Sequence, residues 1–318
     1  MVSESYKAAT QTVALVDKDW SGLIRLTGSD RLSWLQGMVT NDVGKLTPGT
    51  GCYAAHLSPQ GKIVAHMAVL ADTDALWLSL ERSAIRKLIT AFDKLLIMED
   101  VQVSDASDEF STLGLLGPNA PSILPAWLDQ PIHLEKRYSH CTIGDCRIVA
   151  SDLGYDIWVP RSQVDSIVRS IAQAGATAID HGTWDVVRTE AGIPVYGVDI
   201  DETTTMPEIG EQGISYDKGC YIGQEVVAKV KYIGHVNRRF VGIVLSDNGL
   251  PDTKSVIRKN GREVGYVTTS LFSPRLNKSI ALGFVSRSAY SAGNDVEVGT
   301  HGARIVDLPF KGEGTKQI

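Results

Sequence analysis

The sequence changes its pattern of apolar residues near Gly234, and this change constrains the fold more than any other feature. Before Gly234, stretches with helical spacing alternate with strand-like stretches, and the clearest apolar stripe predicts a helix over about 83–98. After Gly234, short segments of alternating apolar residues are separated by turn residues: 238–245, 263–270, 280–285, 295–298 and 303–308. The pattern therefore predicts an α+β region followed by an all-β barrel or sandwich.

Composition narrows the class of protein. The chain has 318 residues, which is long for one hydrophobic core and predicts two or three domains. The apolar share of 43% and charged share of 21% are typical of a soluble globular protein, and the net charge of −6 argues against a dedicated nucleic-acid-binding protein. No apolar run reaches the ~18 residues of a membrane span. The N-terminal residues lack a signal-peptide pattern, so we expect a cytoplasmic protein without membrane or direct nucleic-acid partners.

The cysteines argue against a resident metal. Four of them, at irregular spacing, are Cys52, Cys141, Cys146 and Cys220. No C-x-x-C pair occurs, so a standard structural zinc site or ferredoxin-type cluster site is absent from the sequence. Cys141 and Cys146 lie in a strand-like stretch, where structural thiols are a better interpretation than metal ligands. We therefore predict reduced thiols and no metal site.

The segment 217–225, DKGCYIGQE, is the strongest candidate for a reactive site. Cys220 lies between Gly219 and Gly223, and a short helix is predicted to begin at Gln224. The backbone N–H groups of a helix N-terminus, with Lys218 nearby, would stabilise a thiolate. The alternative is a buried, inert cysteine beside a turn, and the residue types alone leave both interpretations open.

Three other stretches contain polar residues at places where the chain changes direction. The bend Met38–Val43 contains Thr40, Asn41 and Asp42, which taken alone would cap a helix and turn the chain. A helix that passes through Arg188 to Glu190 is predicted to stop at the Gly-Ile-Pro sequence that follows it. The acidic stretch 199–208 has little periodicity, which inside a compact domain is more often functional than idle.

Four separated stretches resemble one known family, the YgfZ/GcvT-type folate-binding proteins. Residues 35–43, LQGMVTNDV, resemble the family's LQG-x-x-T-x-DV segment, and residues 188–203 contain sequences similar to its R-x-E-x-G-x-P and D-x-D-E-T segments. Residues 218–225, KGCYIGQE, match the signature of the YgfZ branch, and residues 265–283 resemble the C-terminal barrel of the superfamily. The matches follow the expected order over nearly the whole chain, and the cysteine signature is the most specific of them.

The resemblance implies a fold, domain boundaries and a cofactor. The fold is a three-lobed GcvT-like α+β fold with a C-terminal β-barrel, and the cofactor is tetrahydrofolate. The implied domains are a discontinuous central folate-binding domain of residues 1–50 and 128–233, an inserted α+β domain of residues 51–127, and the barrel, residues 234–318.

The resemblance also implies roles for individual residues. Glu190 matches the carboxylate that binds the donor–acceptor edge of the pterin ring; otherwise it would cap the helix or pair with Arg188. Lys218 would meet the glutamyl tail of folate or tune Cys220, and the sequence does not separate these roles. The remaining residues assigned to the cofactor site are Arg188, Tyr196, Met38, Thr40 and Asn41.

One departure from the family pattern leaves the activity open. Where glycine-cleavage aminomethyltransferases have an aspartate pair, residues 61–67 read GKIVAHM, with His66 and no carboxylate. The leading hypothesis is therefore a folate-binding accessory protein similar to mitochondrial Iba57. Such a protein would support assembly or repair of iron–sulfur enzymes through Cys220, with those enzymes or assembly proteins as partners. The alternatives are a folate-dependent one-carbon transferase with His66 or Asp201 as base, and an interaction scaffold that has lost folate.

Overall fold

A computed structural model of the protein describes residues 2–128, 130–134 and 136–311. The α-helices in these ranges are α1 Glu4–Gln11, α2 Arg31–Met38, α3 Arg82–Asp93, α4 Ala120–Leu128, α5 Val164–Gln173, α6 His181–Glu190, α7 Met206–Ile209 and α8 Gln224–Tyr232. The strands are β1 Ala14–Asp17, β2 Ser21–Thr27, β3 Thr50–Leu57, β4 Ile63–Ala71, β5 Leu76–Glu81, β6 Gln102–Asp105, β7 Phe110–Leu116, β8 His140–Ile143, β9 Cys146–Ser151, β10 Gly154–Pro160, β11 Thr177–Ala178, β12 Arg238–Leu245, β13 Val256–Lys259, β14 Arg262–Ser273, β15 Lys278–Ser286, β16 Asp295–Val298 and β17 His301–Val306. In the described ranges, no helix has the length and apolar character needed to cross a membrane.

The chain divides into two compact units. The first consists of Met1–Trp184 and Gln212–Gln224, and the second of Asp185–Glu211 and Glu225–Ile318. The first unit contains two sheets and the second contains the barrel. The three domains that the family resemblance implies stay a prediction.

The first sheet of the first unit has six strands in the order β11-β1-β7-β10-β9-β8. Strands β1 and β11 are parallel, whereas the other neighbouring pairs are antiparallel. Helices α4 and α5 pack on one face of this sheet, where Ile171 of α5 shares an apolar cluster with Leu115 and Ile157 of the strands. Burial of such side chains contributes about 1.5–3 kcal/mol each.

The second sheet has five antiparallel strands in the order β3-β4-β5-β2-β6. Helix α3 lies against it and buries Ile85, Leu88 and Phe92, as the apolar stripe predicts. The helix ends at Asp93, so the predicted continuation to Met98 is wrong. Ile97 and Met98 are 85% and 91% exposed, so they do not extend the buried stripe that stabilises the helix.

The second unit contains a closed barrel of six antiparallel strands in the order β12-β15-β14-β13-β16-β17. Its interior holds residues such as Ile243, Val267 and Ile305, which the period-two alternation places on one face. The predicted α+β class and C-terminal barrel are confirmed. One strand, β13, was not anticipated, because a stretch of four residues with two basic side chains gives little alternation to detect.

Candidate functional site

The segment that contains Cys220 passes beside the turn between β3 and β4 before α8 begins. Gly223 has φ +81°, and a Cβ atom there would lie 2.6 Å from the Ser58 carbonyl oxygen, so glycine is required at this approach. The Ile222 N–H donates to the Gly37 carbonyl at 3.3 Å. These contacts anchor the residues just before α8 within the first unit.

Cys220 itself is exposed, while Cys52 and Cys141 are half-buried and Cys146 is buried. The alternative that Cys220 is a buried cysteine is therefore wrong. Helix α8 begins at Gln224, as predicted, and extends beyond the expected stretch to Tyr232. Tyr221, Ile222 and Gly223 separate the cysteine from the first helical residue, so the thiol precedes the helix rather than capping it.

Lys218 has a role that sequence reasoning did not anticipate. Its ammonium donates to three backbone carbonyls, those of Gln36 at 2.6 Å, Val39 at 2.7 Å and Asn41 at 2.7 Å. Lysine at the C-terminal end of a helix satisfies carbonyls that have no partner within the helix. Burial lowers the pKa of Lys218 to about 8, and the charges of Asp42 and Cys52 oppose that change. The side chain fixes the end of α2 and the bend after it.

The polar residues of the bend are engaged with protein groups. The buried Thr40 hydroxyl donates to the Gly213 carbonyl at 2.6 Å and accepts from the Ala55 N–H at 2.9 Å. The Asn41 amide donates to the Tyr53 carbonyl at 2.8 Å. Both residues thus join the bend to β3, and Thr40 also joins it to the segment that leads to Cys220.

Met38, the last residue of α2, is half-buried, and its carbonyl accepts a hydrogen bond from His56 Nδ1 at 2.7 Å. Asp42 accepts from the Gln36 amide at 2.8 Å and pairs with Lys45 at 2.7 Å. The Lys45 contact lowers the pKa of Asp42. These contacts hold the two sides of the bend in place, which agrees with the interpretation of the polar residues as turn-forming.

His56 predicts a pH dependence of stability. Burial lowers its pKa from 6.5 in the folded protein, partly opposed by the bond to Met38. Because the unfolded chain takes up the proton first, the contribution is complete above pH ~6.5 and is lost as pH falls below it, by at most about 1.4 kcal/mol per pH unit. His140 contributes in the same direction, through burial and Arg147.

We therefore expect His56→Gln, which retains a donor for Met38, to flatten the decline of unfolding free energy between about pH 6.5 and 5. Urea denaturation at several pH values measures this slope. A second variant, His140→Gln, should flatten the slope separately, because burial lowers the pKa of His140 as well. An unchanged slope in His56→Gln would contradict the assignment.

Glu190 is buried in the second unit and is bound by Ser273, the last residue of β14, and by Arg275, which follows that strand. Its Oε1 accepts from the Ser273 hydroxyl at 2.5 Å and from the Arg275 N–H at 3.4 Å. Arg275 Nε lies 3.6 Å from Oε2, and Arg275 Nη2 also donates to the Glu190 carbonyl at 3.0 Å. Arg275 is thus an ion-pair partner of Glu190.

Arg188, which we considered as the partner of Glu190, pairs with other carboxylates. Its Nε donates to Asp185 at 2.6 Å and its Nη1 donates to the buried Asp199. Its Nη2 donates to Thr269 at 3.1 Å, and the whole residue is only 1% exposed. The alternative of an Arg188–Glu190 pair is therefore wrong, because Asp199 and Asp185 already bind the guanidinium.

Tyr196 lies in a tight loop, where it bridges to Ile200 and is half-buried. Asp201, the alternative base, accepts from the N–H of Thr203 at 2.8 Å and from its hydroxyl at 2.7 Å. His66, the other alternative base, contacts Tyr53 and Glu81 in the second sheet. Asp201 thus has a turn-forming role, whereas His66 belongs to a network of titratable groups.

The predicted site residues belong to two groups. Met38, Thr40, Asn41, Lys218 and Cys220 lie in the first unit, and Arg188, Glu190 and Tyr196 lie in the second. Within the first group, the structure joins Lys218 to the bend. A single folate site formed by both groups stays a prediction. In the described ranges, no cluster of three or more His, Cys, Asp or Glu side chains is arranged to hold a metal ion.

Comparison with known protein families gives two matches. The sequence model of the GCVT N-terminal domain matches residues 1–214. That of the glycine cleavage T-protein C-terminal barrel domain matches residues 238–311.

Individual relatives agree with these matches. The chain is 28% identical to an aminomethyltransferase of Thermoanaerobacter sp. (strain X514), covering 94% of this chain and 84% of the relative. It is also 28% identical to an aminomethyltransferase of Geobacillus kaustophilus (strain HTA426), covering 97% and 90%. The crystal structure of the glycine cleavage system aminomethyltransferase T from Bartonella henselae has the same fold, with a TM-score of 0.89 and 19% identity over 97% of this chain and 89% of that one.

Proposed function

Because the chain belongs to the family of the GCVT N-terminal domain and the glycine cleavage T-protein C-terminal barrel domain, we propose that it binds tetrahydrofolate and supports iron–sulfur enzymes through the Cys220 thiol. The observation that carries the proposal is the exposure of Cys220, in contrast to the other three cysteines. An exposed thiol on an anchored backbone can reach a partner protein, whereas buried thiols are inert. The KGCYIGQE segment supports the YgfZ-type interpretation.

The buried Glu190 supports the folate part of the proposal. A carboxylate has two oxygens with roughly four acceptor positions, which suits the paired donors at the edge of a pterin. A pterin edge bound by a carboxylate gains charge-assisted hydrogen bonds. In this proposal tetrahydrofolate is a bound cofactor, and Tyr196, Arg188, Met38, Thr40 and Asn41 shape its site.

A second candidate is a folate-dependent one-carbon transferase, an aminomethyltransferase or demethylase. The relatives named aminomethyltransferase favour this candidate over the accessory role, because they match nearly the full length of the chain. The substitution of the expected aspartate by His66 counts against transfer by the family's usual chemistry. In this candidate His66 would be the base, since Asp201 is already bound by Thr203.

Two experiments separate the candidates. In cells that lack the native protein, we expect Cys220→Ala to restore iron–sulfur enzyme activity no better than an empty vector, while Cys141→Ala restores it fully. Stability of Cys220→Ala should change by less than about 0.5 kcal/mol, because the side chain is on the surface. Full activity with Cys220→Ala would exclude the thiol mechanism.

The second experiment measures tetrahydrofolate binding by calorimetry and turnover with methyl or aminomethyl donors. Binding without turnover supports the accessory role, and turnover supports the transferase. We expect Glu190→Gln to weaken binding at least about tenfold, since it removes a charge from the pterin contact. No binding by the wild-type protein would favour a scaffold that has lost folate.

A further inference from the structure

The turn after α3 exposes two adjacent apolar side chains. Met98 and Ile97 are 91% and 85% exposed, the highest values among the large apolar side chains that the structure describes. Single exposed apolar residues are ordinary on protein surfaces, whereas an adjacent pair offers a partner a larger contact. We call residues 93–100, which carry this pair, the apolar turn.

Hydrogen bonds fix the shape of the apolar turn. Glu99 Oε2 accepts from the backbone N–H groups of Ile97 and Met98, both at 3.1 Å. The Leu96 N–H donates to the Phe92 carbonyl at 3.0 Å. The apolar pair is therefore presented on an ordered backbone, so a partner that covers it does not have to order the turn.

The apolar turn is attached to the N-terminal end of α2. The Asp100 N–H donates to the Asp30 carboxylate at 2.9 Å, and the Asp30 N–H donates to the Asp100 carbonyl at 3.1 Å. The Asp100 carboxylate also accepts from the Ser29 N–H at 2.9 Å. Because Asp30 directly precedes the first residue of α2, these bonds hold the turn beside the start of that helix.

Cys220 lies near the other end of α2, where the Ile222 N–H donates to the Gly37 carbonyl. The eight residues of α2 span about 12 Å. Ser33 is exposed, and four residues later a Cβ atom at Gly37 would have no contact within 4 Å with more distant parts of the described chain. An open face of α2 thus runs between the two ends. An interface of ordinary size, about 800 Å² on each partner, is large enough to include both.

The border of the apolar turn is acidic. Asp93, Glu99 and Asp100 are exposed there, against one exposed lysine, Lys94. Hydrogen bonds from backbone N–H groups lower the pKa of the Glu99 and Asp100 carboxyls, so both are ionised at neutral pH. This charge favours a partner with basic side chains and disfavours the anionic surface of a membrane.

We propose that the apolar turn docks a partner protein that approaches Cys220, and that this partner has an apolar pocket bordered by lysine or arginine side chains. Ile97 and Met98 fill the pocket, and the three carboxylates face its border. Two side chains give a small contact area, so the complex is transient. That the partner is an iron–sulfur protein rests on the proposed function.

The first test removes the apolar pair from the full-length protein. In cells that lack the native protein, we expect Ile97→Ser combined with Met98→Ser to lower the restored iron–sulfur enzyme activity at least about fivefold. The purified variant should keep its urea midpoint and the wild-type rate of Cys220 alkylation, because both replaced side chains are exposed. The matched control is Ile233→Ser, 83% exposed in the second unit, which should restore full activity. Full restoration by the double variant would overturn the proposal.

Photocrosslinking in cells tests the contact and its dependence on charge. A benzophenone amino acid at position 97 should form an adduct with a protein whose crosslinked site, located by mass spectrometry, is apolar and bordered by basic residues. The same amino acid at position 233 should not. We expect Asp93→Lys to lower the adduct yield and Lys94→Glu to raise it, each at least about twofold, because they change the charge of the border in opposite directions. No adduct at position 97 beyond that at position 233, or a yield that neither charge change alters, would overturn the docking.

These outcomes separate the docking from the proposed function. If the wild-type protein restores no iron–sulfur enzyme activity, the proposed function is wrong, and the charge dependence of the adduct still decides whether the apolar turn docks a protein. Sedimentation with vesicles of neutral phosphatidylcholine tests a membrane in place of a protein. Binding to these vesicles that the double serine variant abolishes would overturn the protein partner.

Discussion

Replacing Asp199 with alanine is expected to lower the free energy of unfolding of the second unit by about 3–5 kcal/mol, because the buried Arg188 loses its buried carboxylate partner and keeps the part-exposed Asp185. The Asp199 side chain is fully buried and that of Arg188 is 2% exposed. Asp199 also accepts from the hydroxyls of Thr268 at 2.6 Å and Thr269 at 2.7 Å and from the Val195 N–H at 3.0 Å. Its loss therefore removes the acceptor of several buried donors at once.

Two further variants test how much the charge of each carboxylate beside Arg188 contributes. Asp199→Asn keeps the shape and removes the charge, so it should also destabilise the unit strongly. Asp185→Asn should cost only about 1 kcal/mol, because the Asp185 side chain is 32% exposed and water can replace it.

The measurement can distinguish the two units. All six tryptophans lie between residues 20 and 184, in the first unit. Urea denaturation followed by circular dichroism reports on both units, whereas tryptophan fluorescence reports on the first. We expect the decrease in unfolding free energy caused by Asp199→Ala to appear in the circular-dichroism transition. A change below about 1 kcal/mol would show that Arg188 finds another partner or water.

Local patterns in the sequence were sufficient for much of the fold. The strands β12 and β16 have the predicted bounds, and α6 ends at Glu190 before the Gly-Ile-Pro sequence. These elements follow from periodicity and chain-breaking residues, which are local properties. Helix α1 was missed although Ser3 caps it, with its hydroxyl accepting from the Tyr6 N–H at 3.2 Å. The signal is short, since α1 has only eight residues.

The acidic stretch 199–208 also contains the start of a short helix whose signal in the sequence is weak. It was interpreted as irregular, yet Thr205 and Glu208 form a capping box that begins α7. The two residues have the expected spacing, so this signal was present in the sequence. A helix of four residues gives no apolar period, and only the cap could have revealed it.

The roles of the site residues were less predictable, because their partners are remote in sequence. Lys218 contacts carbonyls up to 182 positions away, and Glu190 contacts Ser273 at a separation of 83. No local pattern specifies such pairs. The exposure of Cys220 likewise depends on the backbone around it rather than on its neighbours' residue types. Resemblance to a family could name these residues, but their contacts required the fold.

The second prediction with a large expected effect concerns Lys218. We expect Lys218→Met to lower the free energy of unfolding of the first unit by about 2 kcal/mol at pH 7. Three charge-assisted bonds to carbonyls are lost, and the relief from burying an ammonium offsets part of that loss. At pH 7 the ammonium is the main form, since its pKa is about 8. Methionine keeps the apolar stem, so the change isolates the charged group.

Tryptophan fluorescence in urea measures this loss, because it reports on the first unit. Lys218→Arg should not restore the stability, since a planar guanidinium cannot direct three donors to convergent carbonyls as an ammonium does. The matched control is Lys45→Met, a lysine with 78% of its side chain exposed, for which we expect a change below about 0.5 kcal/mol. If Lys218→Met were as stable as Lys45→Met, the three carbonyls would be satisfied by water. The lysine before Cys220 would then be free for a ligand or for the thiol, as the sequence alone allowed.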